Sequence, residues 1–222
     1  MTKTYEMARP KIRDGFRRPK RIQRAADYYE SISNGFAEYI GLREEKSKGV
    51  IPIDPLDSDR IGGLTESDSH GNSNIKINRK IADEGKDLDI YEVLWHELVH
   101  AQTASLNRYK DTSPQETTFI MEMLTEYALP KYLEKIGMHD LSEKINRDRK
   151  RRPLLYKRAY ALGKMTDSFY RSELGNGEGI EAMMQDIQDT ESMQYALRRW
   201  SDCKDRINFT NNYLGNHKEL RN

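Results

Sequence analysis

The sequence predicts an α+β domain, because short β-like pieces come first and helical periodicity then runs almost to the end. Three pieces read as strands. They are Val50–Ile53, closed by Pro52 and Pro55; Ile61–Thr65; and Ile75–Asn78, where Ile75 and Ile77 alternate with Lys76 and Asn78. After Asp89 the apolar spacing becomes helical, punctuated by Pro130, Gly137, Pro153, Gly163 and a Gly175–Gly179 cluster. No internal repeat interrupts this order.

A length of 222 residues is enough for one domain with a real core. Charged residues make up 33% of the chain, but 37 cations and 36 anions nearly cancel, and 13 Tyr with 5 Phe supply core material, so the balance is not that of a disordered chain. The net charge of +1 gives no global reason to expect nucleic acid or a membrane surface as partner. A single cysteine, Cys203, excludes an internal disulfide framework and a cysteine-rich zinc module. No apolar run is long enough to span a membrane, and the basic N-terminus lacks the apolar stretch of a secretory signal. The chain reads as soluble and cytoplasmic, with no membrane partner.

Residues 1–24 are basic and poor in large apolar side chains, and read as a solvated arm or the polar start of a helix; residues 25–222 form the single domain. From Ala25 to Leu42 the residues Ala25, Tyr28, Tyr29, Ile32, Phe36, Tyr39 and Ile40 recur at helical spacing and predict a helix on the core. The polar connection Ser67–Asn74 suits a hairpin or a longer loop. A second basic run, Lys144, Arg147, Arg149, Lys150, Arg151 and Arg152 ahead of Pro153, reads as a helix end, with binding to nucleic acid or another acidic partner as the alternative. Met183, Met184 and Met193 read as core filling, and His70 and His139 as surface residues.

The stretch that carries chemistry is Asp89-Ile-Tyr-Glu-Val-Leu-Trp-His-Glu-Leu-Val-His-Ala-Gln102. Asp89 followed by Glu92 makes a capping-box-like start. His96 and His100 are four apart, so their imidazoles leave one helix face a turn apart, a separation that a single zinc ion bridges. Glu97 follows the first imidazole on the side where a water would sit. This is H-E-x-x-H, in which the metal lowers the pKa of its water and the Glu takes the proton.

The third ligand is the open question. The metzincin pattern needs a Gly and a further His where this chain has Thr103 and Leu106, so that pattern is excluded. A carboxylate from a following helix remains. Ser113-Pro-Gln-Glu116 is a helix start, with a Ser cap, Pro in first position and Glu in third. The helix runs to Leu129 ahead of Pro130, and Glu122 and Glu126 stand in it among Phe119, Ile120, Met121, Met123, Leu124 and Tyr127. Burying a carboxylate there is costly without a cation or strong donors. Bound zinc removes that cost for one of them, and the other, one turn away, can accept a ring N–H from a ligating His.

His96-Glu-Leu-Val-His100 followed by Glu122-Met-Leu-Thr-Glu126 resembles the gluzincin metallopeptidases of the zincin fold, which carry H-E-x-x-H and then a helix with E-x-x-x-[DE]. The resemblance implies one Zn2+ per chain, Glu122 as third ligand and Glu126 as the group orienting a histidine; Glu116 and Glu126 stay as further candidates for the ligand. Tyr160-Ala-Leu-Gly163 is similar to a Y-x-x-G segment of the aminopeptidase-like members, which implies Tyr160 as donor to the tetrahedral intermediate, with Tyr156 as competitor. No aminopeptidase-specific motif lies upstream, so trimming of N-termini is not implied. Zincins commonly bind a peptide along a strand beside the metal helix, and Ile75, Lys76, Ile77 and Asn78, the last strand before it, are the candidate, an interior or fully paired strand being the other reading. The expected activity is peptide-bond hydrolysis on a peptide or protein substrate. The alternative is a zincin-fold protein that binds nucleic acid or a protein partner through its basic stretches.

Overall fold

The computed structural model describes residues 9–42, 50–68, 72–109, 111–174 and 179–196. His70, Gly71, Cys203, His217 and the 175–178 part of the glycine cluster lie outside them. The architecture is α+β, a four-stranded sheet followed by a mainly helical C-terminal part. Strand β1 is Arg9–Ile12, β2 Val50–Leu56, β3 Gly63–Ser67 and β4 Ser73–Asn78. Their order across the sheet is β1-β2-β4-β3. β1, β2 and β4 are parallel, while β3 returns antiparallel to β4 with Thr65 opposite Ile75.

Two regions differ from the sequence reading. Residues 9–24, read as a solvated arm or a polar helix start, carry the first turns of helix α1, Pro19–Tyr39, in line with the helix start, and also strand β1, which neither reading gives. Arg9-Pro-Lys-Ile12 holds one aliphatic side chain and lies at the sheet's edge, where Pro10 costs no shared ladder bond, so it leaves no alternating pattern to find. Pro19 starts α1 with its φ already set, and Ile22, Ala25 and Ala26 then turn inward while Arg21 reaches out to Asp87 at 2.7 Å. The second difference concerns Ile75–Asn78. This strand pairs with β2 on one side and β3 on the other, so its backbone is not open to a peptide. Ile75 and Ile77 are core, Lys76 pairs with Glu66, and the Asn78 side chain caps helix α2, Arg79–Glu84. The edge strand beside α3 is β3.

Helix α3, Asp87–Gln102, occupies the middle of the molecule, touching α1, β3, β4 and the later helices. It begins two residues before Asp89, whose carboxylate instead reaches back to the Lys86 N–H at 2.8 Å. Trp95 is fully buried against Tyr29 and donates its indole N–H to the Ala25 carbonyl at 2.9 Å, which removes its one polar cost. A side chain of that size contributes roughly 2–3 kcal/mol by burial.

After a short 3₁₀ turn, α4 spans Pro114–Met123, a π-helical turn Leu124–Ala128, and α5 Leu129–Lys135. Ser113 and Glu116 cap each other as the sequence predicts. Pro130 does not end the rod. It has no N–H for the Glu126 carbonyl, and Arg149 Nη2 supplies the missing donor at 2.6 Å. Helices α6, His139–Asp148, α7, Leu154–Leu174, and α8, Gly179–Thr190, complete the fold, with Met183, Met184 and Met193 in the core and His139 exposed. Among the described residues no helix is long and apolar enough to cross a membrane.

Candidate metal centre

Helix α3 brings His96 and His100 to one face, and α4 lays Glu122 against them. The two Nε2 atoms are 3.0 Å apart, His96 Nε2 is 3.3 Å from Glu122 Oε2, and His100 Nε2 is 3.4 Å from Glu122 Oε1. A tetrahedron with zinc bonds of about 2.0–2.2 Å has edges of about 3.3–3.6 Å, so the three donors sit close to the spacing one ion demands. They are the group among the described residues whose atoms could hold a metal. His100 and Glu122 are buried, at 8% and 7% exposure.

The electrostatics fit a cation site. Burial opposes charge on His96, yet Glu122 beside it, with Glu97 and Glu126, holds its pKa up at about 9. Burial also opposes charge on Glu122, and there the two imidazoles win, keeping the carboxyl well below its usual range. Negative charge is thus fixed where two nitrogen donors converge.

Glu97, on the same helix, turns toward β3. Thr65 Oγ1 lies 2.7 Å from its Oε2, and Gly63 faces its side chain. Tyr156, at the start of α7, stacks edge-on against His96 with ring centroids 5.8 Å apart. Burial, with Glu122 and Glu97 nearby, pushes the Tyr156 hydroxyl up, so it stays a proton donor across the physiological range.

Tyr160 is elsewhere. It lies under the Arg149 guanidinium at 3.7 Å and packs on Tyr127, a layer behind Glu126. The glycine of Tyr160-Ala-Leu-Gly163 has its own reason. A Cβ at Gly163 would come within 2.5 Å of Tyr127 Cβ, so only glycine lets α7 approach the π turn. The structure therefore puts Tyr156, not Tyr160, at the histidines.

The remaining carboxylates are occupied. Glu116 is held by its cap. Glu126 is fully buried on the π turn with Oε1 3.6 Å from His96 Nδ1, too long for a hydrogen bond. Its direct partners are Arg149 Nε, 3.4 Å from Oε2, and Arg152, which donates to Oε1. Arg152 also donates to Glu92 on α3, and Glu92 pairs in turn with Lys144 at 2.8 Å. Three cations of the 144–152 run therefore point inward, while Arg147, Lys150 and Arg151 face out. The sequence reading missed Gly63, Thr65, Glu92, Arg149 and Arg152 as neighbours of the site. The basic run was the available signal for the arginines, since buried carboxylates require cations. Gly63 and Thr65 are placed by strand pairing and leave no local signal.

Compared with family models, curated proteins and solved structures, the chain matches none.

Proposed function

We propose that the chain is a zinc-dependent metallopeptidase of the zincin type, gluzincin-like in its ligand set, with His96, His100 and Glu122 holding one Zn2+. The observation that carries this reading is the convergence of two imidazole nitrogens and a buried carboxylate at 3.0–3.4 Å, with Glu97 one residue from the first ligand. Bound there, zinc would supply Lewis acidity, lowering the pKa of a water and polarising the scissile carbonyl.

The chain's own groups do the rest. Glu97 receives the proton at Oε1, its Oε2 being held by Thr65, and returns it to the leaving amine. Tyr156 donates its hydroxyl proton as a hydrogen bond to the oxyanion. Glu126 faces the far side of His96 and favours the tautomer with the proton on Nδ1, leaving Nε2 for the metal. The outer edge of β3, beside Glu97, takes an extended peptide by backbone pairing with little side-chain selectivity. Half of the 144–152 cations are engaged by Glu92 and Glu126, which weakens the case for an acidic macromolecule as the partner.

Metal analysis of purified protein, paired with a proteome-derived peptide cleavage assay, tests the proposal. Glu97→Gln is expected to keep the fold and the zinc while losing turnover on the order of 10²–10⁴-fold. A Gln variant that cleaves as fast as wild type defeats the mechanism. Salt-sensitive nucleic-acid binding that survives this change, with no peptide cleaved by wild type, would establish the binding alternative.

A further inference from the structure

We infer that Thr65, seated by Gly63, is a positioning residue for Glu97, holding its carboxylate against the sheet's edge strand; the catalytic consequence rests on the peptidase reading above. Along β3 the side chains alternate. Gly63, Thr65 and Ser67 are half-buried on the α3 side, while Leu64 and Glu66 are exposed on the other. Glu97 is 6% exposed and enters the gap opposite Gly63. A Cβ at residue 63 would sit 2.7 Å from both Glu97 Cγ and Oε1, closer than such contacts occur, so glycine alone leaves room for the carboxylate in this pose.

Thr65 closes the other side. Its Oγ1 is 2.7 Å from Glu97 Oε2 and 3.0 Å from the Glu97 carbonyl, and a hydroxyl has one proton to give. The carboxyl oxygen, at the shorter distance, takes it. Threonine suits the task better than serine, since its β-branch stiffens χ1 and fits a strand. The nearest cation on β4, Lys76, is committed to Glu66 at 2.8 Å. Glu97 is therefore fixed by one hydroxyl and one missing side chain, both on the strand that ends the sheet among the described residues. Base placement and backbone pairing then share a strand but use different atoms of it, so a side-chain change separates them.

The experiment uses the zinc-loaded full chain with Thr65→Val, Thr65→Ser and Gly63→Ala, read by chelator competition, by kcat and KM on one peptide that wild type cleaves, and by crystal structures. Thr65→Val is expected to lower kcat on the order of 10–100-fold with KM within about two-fold and zinc affinity unchanged. Thr65→Ser restores part of that loss, and Gly63→Ala lowers kcat by displacing the carboxylate. In the crystal structures Glu97 leaves β3 in the Val and Ala variants. An unchanged kcat in Thr65→Val, or a Glu97 carboxylate that keeps its place there, overturns the inference. If wild type cleaves no peptide, the hydrolase reading has failed, and the crystal position of Glu97 alone still decides the positioning claim.

Discussion

Two clusters of buried charge lie on either side of the His96 ring, and they are built in opposite ways. On the Nδ1 side, Glu126 and Glu92 are matched by Arg149, Arg152 and Lys144, so each carboxylate already has a cation of its own. On the Nε2 side, Glu122 meets two imidazoles and the Thr125 hydroxyl at 3.4 Å. An arginine is charged at every accessible pH, whereas an imidazole can lose its proton and become a ligand. The first cluster is therefore a fixed structural network, and the second is a group that could hold a metal in place of protons. The difference teaches that two equally buried carboxylates are told apart by the kind of partner each keeps, not by burial.

The sharpest way to break this comparison is to remove the imidazoles. His96→Ala or His100→Ala is expected to abolish zinc binding and all turnover, measured as bound metal per chain after gel filtration. Full zinc occupancy in the double variant would sink the assignment. Glu116→Ala serves as the control, weakening the α4 cap by about 1 kcal/mol while leaving zinc affinity where it was.

A smaller effect is expected on the other side of the ring. Glu126→Gln leaves all three ligands but removes the anion behind His96, and should weaken zinc about 10–100-fold in chelator competition. It also leaves Arg149 and Arg152 short of a buried partner, so urea unfolding of the metal-free chain should show a loss of about 3–5 kcal/mol. Unchanged zinc affinity together with unchanged activity would refute the orienting role and reduce the network to scaffolding.

These two clusters were unequally legible in the sequence. The His96–His100–Glu122 group was readable because H-E-x-x-H and the Ser113–Glu116 box are local patterns, and because Glu122 and Glu126 stand out as charges in an apolar helix. The network was not readable, since Arg149 and Arg152 meet Glu126 only after α6 doubles back, and a run of cations usually marks a solvated face. The same limit hid the sheet order. Ile75–Asn78 alternates as an edge strand would, and only its parallel pairing with β2, where Ile75 lies opposite Ile53, makes it central. Tyr160 was favoured over Tyr156 because its following glycine looked like part of a site, when Gly163 serves the contact with Tyr127.

The gentlest test varies pH. In the metal-free chain His96, raised from 6.5 to about 9 by its carboxylate neighbours, adds stability that is complete below about 6.5 and is lost as pH rises through about 9. Glu122, held low, adds stability above the ordinary carboxylate range that is lost only in acid. Zinc has to displace the His96 proton, so its affinity should climb by up to about ten-fold per pH unit until about 9. Melting curves from pH 6 to 9.5, with and without zinc, together with competition titrations, measure both trends. A zinc affinity that is flat between pH 7 and 9 would show that His96 carries no proton to displace.

Pro130 writes an order of assembly into the rod that bears the carboxylates. The α4 half carries its own start signal in Ser113 and Glu116, but the junction at Glu126 is completed by a side chain from beyond α6. A chain that stops before Arg149 holds a buried carbonyl without its donor, at a cost of about 1–3 kcal/mol, in addition to a carboxylate without its cation. The imidazoles on α3 are ready as soon as that helix forms, whereas the anionic wall facing them depends on residues made later. Synthesis from the N-terminus thus leaves the site open on one side until the C-terminal helices arrive to shut it.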